Sequence, residues 1–145
     1  MASSAAAMAE QACRPDLASL RGSWGQAAFT VEIADDGRER AQGLMYRDQL
    51  DPWSGMLFVY ERPSDTIAFW MRNTRIPLDI IFLDQNGVVR RIAENAVPFD
   101  ETGLPGGNGI QYVLEINGGM ARRLGIGVGT ELRNPVLGEF AAWPC

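Results

Sequence analysis

Asp79 is the ionisable residue whose place in the sequence is hardest to explain by packing alone. Residues 78–84 alternate as a strand does, and Asp79 then shares one face with Ile81 and Leu83. A carboxyl group on an apolar face needs a charged or hydrogen-bonding partner, because burying it unpaired is costly. We therefore expect Asp79 to belong to a polar network.

The segment that precedes this strand, residues 72–77, supplies candidate partners for Asp79. Three arginines are candidates: Arg72 and Arg75 in this segment, and Arg47 earlier in the chain. We expect at least one of them to contact the carboxyl group, in a network centred on this loop. Asp79 would then either bind a ligand or act as a general acid in a pocket. The alternative is a structural role, in which its carboxyl group accepts hydrogen bonds that fix the loop at Asn73 and Thr74.

Glu115 is the second carboxyl group of interest. It lies beside Val113 in the alternating segment 110–117, so a strand places the two on the same face. If Glu115 came close to Asp79, the two carboxyl groups could divide the acid and base roles, as in glycosidases. The alternative is a glutamate that faces solvent, which is the usual position of this residue type.

Arg47 stands at the predicted end of a helix, where a cation stabilises the negative end of the helix dipole. A guanidinium can also clamp a carboxylate or phosphate with two hydrogen bonds. No glycine-rich phosphate motif accompanies Arg47. Both interpretations stay open.

Aromatic and methionine side chains surround these positions in the sequence. The aromatic ones, which could form a platform for a flat ligand or simply belong to the core, are Tyr46, Trp53, Phe69 and Trp70. The methionines, which could bind Cu(I) but more commonly fill irregular cores, are Met45, Met56 and Met71. We favour core packing for the methionines and predict no metal and no cofactor.

The composition excludes several classes of function. The chain of 145 residues has no histidine, which rules out Ser-His-Asp and Cys-His sites and removes the commonest metal ligand. All 13 cationic side chains are arginine, so lysine Schiff-base chemistry is excluded as well. A net charge of −5 argues against nucleic-acid binding. No apolar run is long enough to span a membrane.

The two cysteines, Cys13 and Cys145, lie near opposite ends of the chain, and we predict that they form a disulfide. A disulfide requires an oxidising compartment. The small-residue segment Ala5-Ala6-Ala7-Met8-Ala9 is similar to the end of a signal peptide, so we expect an exported, periplasmic protein. The alternative is a cytosolic tail with two unpaired cysteines.

The elements that position these residues are short. Strands are predicted at residues 28–34, 56–60, 66–71, 78–84, 88–95, 110–117 and 130–133. Asn86-Gly87 predicts a type I′ hairpin turn. The longest helix is expected over residues 37–47, begun by Asp36 with Glu39 three residues on, and a shorter one over 119–124, ended by Gly125.

Many short strands separated by turn residues predict a mainly β fold with short helices, arranged as a compact antiparallel sandwich or barrel. Residues 1–25 lack periodicity and are predicted to be an N-terminal extension, with one helical turn at 16–20. Residues 26–145 are predicted to form a single β domain.

Four segments resemble the domain of unknown function 192 family, an uncharacterised and largely prokaryotic group. They are RAQGLMYR at 40–47, GMLFVY at 55–60, FWMRNTRIPLDIIFLD at 69–84 and VLEINGGMARRLGIGVGT at 113–130. The resemblance covers roughly residues 27–133 and implies a jelly-roll-like architecture, often on exported bacterial proteins. It implies no established activity and no catalytic residues.

Three functional hypotheses follow. The first is an exported β module, a monomer or weak oligomer, that binds a small molecule or a protein partner without catalysis. The second is an enzyme that uses Asp79 and Glu115 on cell-envelope carbohydrate. The third is a structural accessory domain whose unusual polar residues only hold loops in place.

Overall fold

A curled sheet of seven strands is the framework of the computed structural model, which describes residues 13–145. Its strands are β1 (Leu17–Gly22), β2 (Gly25–Ala34), β3 (Ser54–Ser64), β5 (Leu78–Asp84), β6 (Val89–Ala96), β8 (Ile110–Asn117) and β9 (Glu131–Arg133). Two short strands, β4 (Ala68–Phe69) and β7 (Leu104–Pro105), form a separate pair. The helices are α1 (Gly37–Gln42), α2 (Met120–Leu124) and a 3₁₀ segment (Pro135–Phe140).

The order of strands in the sheet is β6-β5-β8-β3-β2-β1-β9. Neighbours are antiparallel except β2 and β3, which pair in parallel. A parallel pair needs a long crossover, and residues 35–53 with α1 supply it. A bridge between Val88 and Glu131 links the two edges of the sheet, so the sheet is curled. The mainly β prediction is confirmed, although this one pair departs from the antiparallel pattern.

Apolar residues cover both faces of the sheet. The first face packs against α2 and the 3₁₀ segment through buried residues such as Phe29, Leu57, Ile81, Leu114 and Leu137. The second face packs against the end of α1 and β4 through residues such as Leu44, Phe58, Ile80, Phe82 and Val113. Met56 and Met71 belong to this second core, as the packing interpretation of the methionines predicted. All seven residues of β5 are buried, because both faces of that strand are covered.

Strand β1 corrects the prediction for the beginning of the chain. The helical turn expected at 16–20 is wrong, because these residues enter a strand that pairs with both β2 and β9. Ala18 and Leu20 are fully buried on one face of it. Contacts with distant strands thus override the weak local pattern, and the sheet begins before residue 26. The predicted signal-peptide remnant at Ala5–Ala9 lies outside the described residues.

Helix α1 begins as predicted and ends earlier than predicted. The Asp36 carboxyl group accepts a hydrogen bond from the Glu39 amide at 2.7 Å. The Glu39 side chain accepts a hydrogen bond from the Asp35 amide at 3.1 Å. Gly43 ends the helix with a φ of 50°. A Cβ on Gly43 would lie 3.1 Å from the Phe58 ring, so the glycine also permits a close approach to β3.

The hairpin of β5 and β6 is confirmed, but its turn is not of type I′. Gly87 has a positive φ of 76°, whereas Asn86 does not. The Asp84 carboxyl instead fixes the turn by accepting from the amides of Asn86 and Val88, at 2.9 and 3.0 Å. Strand β8 and helix α2 lie where the sequence predicted them, while the strand predicted at 66–71 is reduced to β4. Within residues 13–145, the helices all lack the combination of length and apolar character that crossing a membrane requires.

Candidate functional site

A cavity of about 230 Å³ opens on the second face of the sheet. The end of α1 and the turn after it form one wall, and the segment around β4 forms the opposite one. Strands β3 and β8 form the floor. The lining residues that carry polar or aromatic groups are Arg40, Gln42, Phe58, Tyr60, Phe69, Trp70, Thr74 and Glu115. We call this cavity the Glu115 pocket.

Glu115 lies at the floor of the pocket and is only 4% exposed. On β8 it is in register with Met56 of β3 and Ile80 of β5, and its side chain is on the face of Val113, as predicted. The solvent-facing alternative is wrong. Between residues 13 and 145, no group donates a hydrogen bond to its carboxyl oxygens. Burial raises the pKa of Glu115 to about 8, so the carboxyl group is mostly neutral at pH 7.

Arg40 forms part of the wall beside Glu115 but is bound to other groups. Its Nη1 donates to the carbonyl of Val59 at 2.8 Å, and its Nη2 lies 3.3 Å from the Glu61 carboxylate. The guanidinium also lies over the Tyr60 ring, 4.8 Å from its centroid. The pKa of Tyr60 is raised, chiefly by burial and also by the nearby Glu115 carboxyl group. The Arg40 cation opposes this shift. The Arg40 cation is therefore held on the wall and does not neutralise Glu115.

Aromatic rings form much of the remaining lining. The rings of Phe58 and Phe69 meet edge to face, with centroids 4.8 Å apart. Trp70 stands at the rim and is 43% exposed, with the Arg72 guanidinium 5.3 Å from its ring centroid. Thr74 is buried and donates to the carbonyl of Arg72 at 3.1 Å. The interior thus combines aromatic rings with several polar groups, and Glu115 is the buried carboxyl group among them.

The loop at residues 72–77 forms a network at the rim that differs from the predicted one. Tyr46 and Asn73 both have positive φ, 67° and 54°, which is uncommon outside glycine. The Tyr46 amide donates to the Asn73 carbonyl, and Asn73 Nδ2 donates to the Tyr46 hydroxyl, both at 2.9 Å. The Arg75 guanidinium lies over the Tyr46 ring, 5.9 Å from its centroid, and Arg75 also binds Asp48 at 2.7 Å. These bonds hold a strained segment in place beside Trp70.

Asp79 takes no part in that network, so the prediction of an arginine partner is wrong. Its carboxyl group is fully buried. It accepts hydrogen bonds from three backbone amides, those of Asn95 at 2.8 Å, Gly119 at 3.1 Å and Ala121 at 2.8 Å. The amides at the start of α2 have no partner within the helix, and Asp79 supplies one. Its role is therefore to join β5, the end of β6 and the beginning of α2.

Asp79 and Glu115 lie on opposite faces of the sheet. The register of β5 and β8 places Ile80 beside Glu115, and its neighbour Asp79 points to the other face with Ile81. The two carboxyl groups cannot act on one bond, which removes the glycosidase-like arrangement that the second hypothesis requires.

Arg47 is also separate from the pocket. It lies beyond the end of α1, so the predicted contribution to the helix dipole is wrong. Its guanidinium binds the Glu32 carboxylate with two hydrogen bonds, one of them 2.8 Å from Nη2 to Oε1. This pair lowers the pKa of Glu32 and raises that of Arg47. Of the predicted site residues, the structure brings Trp70, Thr74 and Glu115 together in the pocket.

The model of a protein family matches residues 19–134 of the chain. The chain belongs to the DUF192 family. The family's description is "Uncharacterized ACR", and the resemblance inferred from the four sequence segments is thereby confirmed. No curated protein matches the chain.

Two solved structures are similar to this DUF192 protein. One is a protein of unknown function from Novosphingobium aromaticivorans DSM 12444, with 46% identity, a TM-score of 0.78, and coverage of 80% of this chain and 82% of that one. The other, from Sinorhizobium meliloti 1021, is described as a candidate transcription regulator, with 41% identity, a TM-score of 0.77, and coverage of 80% and 90%.

The four segments that carry the DUF192 resemblance converge on the Glu115 pocket. Segment 40–47 contributes the α1 wall, 55–60 and 113–130 the floor, and 69–84 the opposite wall. Every lining residue except Ala68 comes from one of them. Sequence reasoning missed Arg40 and Tyr60 as site residues. The signal for Arg40 was its position at the head of the first segment, whereas nothing in the sequence distinguished Tyr60 from a core aromatic.

The structure does not contain the predicted disulfide, since Cys13 and Cys145 are both free. The two thiols are nevertheless neighbours. Burial and the adjacent Cys13 thiol raise the pKa of Cys145, while Arg133 lowers it. The predicted proximity of these two cysteines is thus present without the bond.

Proposed function

We propose that this DUF192 protein is a non-catalytic module that binds a small molecule in the Glu115 pocket. One observation carries the proposal: a buried carboxyl group faces the cavity, and no group in residues 13–145 hydrogen-bonds to it. The carboxyl oxygens open into the cavity, so a donor that enters it can reach them, whereas buried polar groups usually find their partner within the protein. A ligand that enters the cavity would supply the missing partner.

The dimensions and lining of the pocket support a small ligand. Sites for drug-sized molecules have volumes of roughly 300–1,000 Å³, and the volume here is about 230 Å³. Such sites combine apolar surface with polar groups that fix the orientation of the ligand, and polar atoms form the larger part of the lining here. Phe58, Phe69 and Trp70 provide the apolar surface, and Glu115 the polar anchor.

The other two hypotheses have less support. An enzyme of the two-carboxyl type would need Asp79 and Glu115 on one face, and they are on opposite faces. A purely structural domain would not need an unpartnered acid at the floor of an open cavity. The Sinorhizobium meliloti protein is described as a candidate transcription regulator. Nucleic-acid binding is nevertheless disfavoured for this chain, because it is acidic, with an isoelectric point near 4.7.

A fragment screen followed by ¹⁵N NMR tests the proposal. A mixed set of small amines, acids, alcohols and amides is added to the wild type, to Glu115→Gln, and to Glu94→Gln as a control on an exposed carboxyl of β6. We expect binding fragments to shift the Trp70 indole and the amides of residues 40–45 in the wild type and the control. At a concentration of 100 Kd, a bound ligand should add about 2.7 kcal/mol of stability. A set without hits, or with hits that map elsewhere on the molecule, would overturn the proposal.

We also propose that the protein works in an oxidising compartment, where Cys13 and Cys145 become a disulfide. The adjacency of the two thiols supports this, together with the sequence of residues 5–9. Formation of the S–S bond releases two protons and two electrons, which a thiol–disulfide oxidoreductase of that compartment would accept. The bond would join the region before β1 to the C-terminal tail.

Thiol titration tests the disulfide. Protein isolated from an oxidising compartment without reductant and then denatured should contain no free thiol, and reduction should lower its stability by a few kcal/mol. Cys145→Ser should show one free thiol and no response to reductant. Two titratable thiols in the isolated wild type would refute the proposal.

A further inference from the structure

We infer that the ligand of the Glu115 pocket carries a compact organic cation, such as a primary ammonium group, that binds directly to the Glu115 carboxylate. The inference rests on the proposed function, because it names the chemistry of a ligand for that same pocket. The geometry of the pocket points to a cation for three reasons.

The first reason is the polarity of the floor. Glu115 is nine-tenths or more buried, faces the cavity and lacks a donor among the described residues. An ionised carboxyl group has only acceptor oxygens, so it is complementary to a donor that bears positive charge. An ammonium group presents three such donors within a small volume, and the cavity is small.

The second reason is the aromatic lining. Phe58, Tyr60, Phe69 and Trp70 all line the cavity. Aromatic faces carry negative potential and attract cations within about 6 Å of the ring centroid. The structure already contains one such contact in this wall, the guanidinium of Arg40 over the Tyr60 ring at 4.8 Å. Because Arg40 occupies the Tyr60 ring and Arg72 lies at the Trp70 ring, a ligand cation would meet chiefly Phe58 and Phe69, with the Glu115 carboxylate added.

The third reason is the state of the other charged groups that face Glu115. Arg40 is the cation on the α1 side, and it is bound to the Val59 carbonyl and to Glu61. Tyr60 is the ionisable group on β3, and its raised pKa keeps it neutral near pH 7. The lining groups from the β4 side, Trp70 and Thr74, carry no charge, and the Arg72 cation lies at the rim against the Trp70 ring. The pocket therefore has an acid that no neighbouring cation neutralises.

A ligand cation would have to displace the proton that Glu115 holds in the empty pocket. With a pKa near 8, only about a tenth of the molecules are ionised at pH 7, which weakens cation binding about tenfold. Opposite charges in contact at a poorly solvated site attract strongly, so the pair offsets this loss. Binding should release a proton below pH 8, whereas a neutral ligand would leave Glu115 protonated.

Calorimetry with matched pairs of probes tests the inference. The pairs are benzylamine with benzyl alcohol and butylamine with butanol, titrated at pH 6, 7 and 8 into the wild type, Glu115→Gln and Glu94→Gln. Both amines stay protonated over this range. We expect the better amine to bind at least tenfold more tightly than its alcohol at pH 8. Its affinity should rise about tenfold from pH 6 to 7 and less above that. Titration in buffers of different ionisation enthalpy should show proton release, and Glu115→Gln should lose the preference and the pH dependence.

The outcomes separate the inference from the proposed function. If both alcohols bind in the pocket as tightly as their amines, with affinities independent of pH, the inference is wrong and the small-molecule pocket remains. Amine binding that is unchanged in Glu115→Gln also overturns the inference. If the amines, the alcohols and the fragment set all fail to perturb the pocket residues, both are wrong.

Discussion

Raising the pH from 5 to 8 should destabilise this protein by about 3 kcal/mol through Glu115 alone, and Glu115→Gln should remove that dependence. Burial raises the pKa of Glu115 from 4.5 to about 8 in the folded protein. Between these two values the folded state holds a proton that the unfolded state has released. Stability is therefore fully present below the unfolded pKa and is lost as the pH rises through the folded pKa, with a slope of about −1.4 kcal/mol per pH unit.

Urea unfolding at half-unit steps from pH 5 to 8.5 measures this slope. The chain has no histidine, so the side chain that ordinarily titrates in this range is absent and the background should be small. Glu94→Gln alters an exposed carboxyl on β6 and should keep the wild-type slope. Equal slopes in Glu115→Gln and the wild type would show that Glu115 ionises near its ordinary pKa, and the pocket would then lack its buried neutral acid.

The alternation of apolar residues predicted the faces of the strands well. It placed Glu115 beside Val113 and Asp79 beside Ile81, and both placements are confirmed. The alternation could not show whether other segments of the chain pack over each face of the sheet. The cover over Glu115 comes from residues 40–45 and 68–74, which are distant in sequence and reach it only through the fold. The burial of this glutamate is therefore a property of tertiary packing.

Two errors in the sequence interpretation share a physical cause. Reasoning from residue types sought a charged partner for Asp79, but the partners are backbone amides, which nearly every residue carries and no sequence pattern marks. Strand β1 was likewise missed because its stability comes from pairing with β2 and β9 rather than from local alternation. Turn residues were more informative at Gly87 and Gly125, which lie in the predicted turn and at the predicted helix end, whereas Gly43 ends α1 inside the helix predicted over 37–47.

Asp79→Asn should destabilise the protein by about 3 kcal/mol, because hydrogen bonds to an acidic group are worth about 1.5–3 kcal/mol each and an unpaired buried amide costs about 1–3 kcal/mol. The two carboxyl oxygens accept from Asn95, Gly119 and Ala121. The single oxygen of an asparagine can keep the first two of these bonds. Its amide nitrogen would then face the Ala121 amide, donor against donor, at a fully buried site.

Urea unfolding at pH 7 measures this cost, with Glu94→Gln as the control for the loss of one negative charge on an exposed site. Asp79→Ala should cost more than Asp79→Asn, because it removes all three bonds. Ligand binding should survive in Asp79→Asn under conditions where the variant is folded, since Asp79 lies on the face of the sheet opposite the Glu115 pocket. A stability within about 0.5 kcal/mol of the wild type, the usual range of surface substitutions, would show that Asp79 does not hold α2 against the sheet. Loss of ligand binding in the folded variant would show that the two faces of the sheet are coupled.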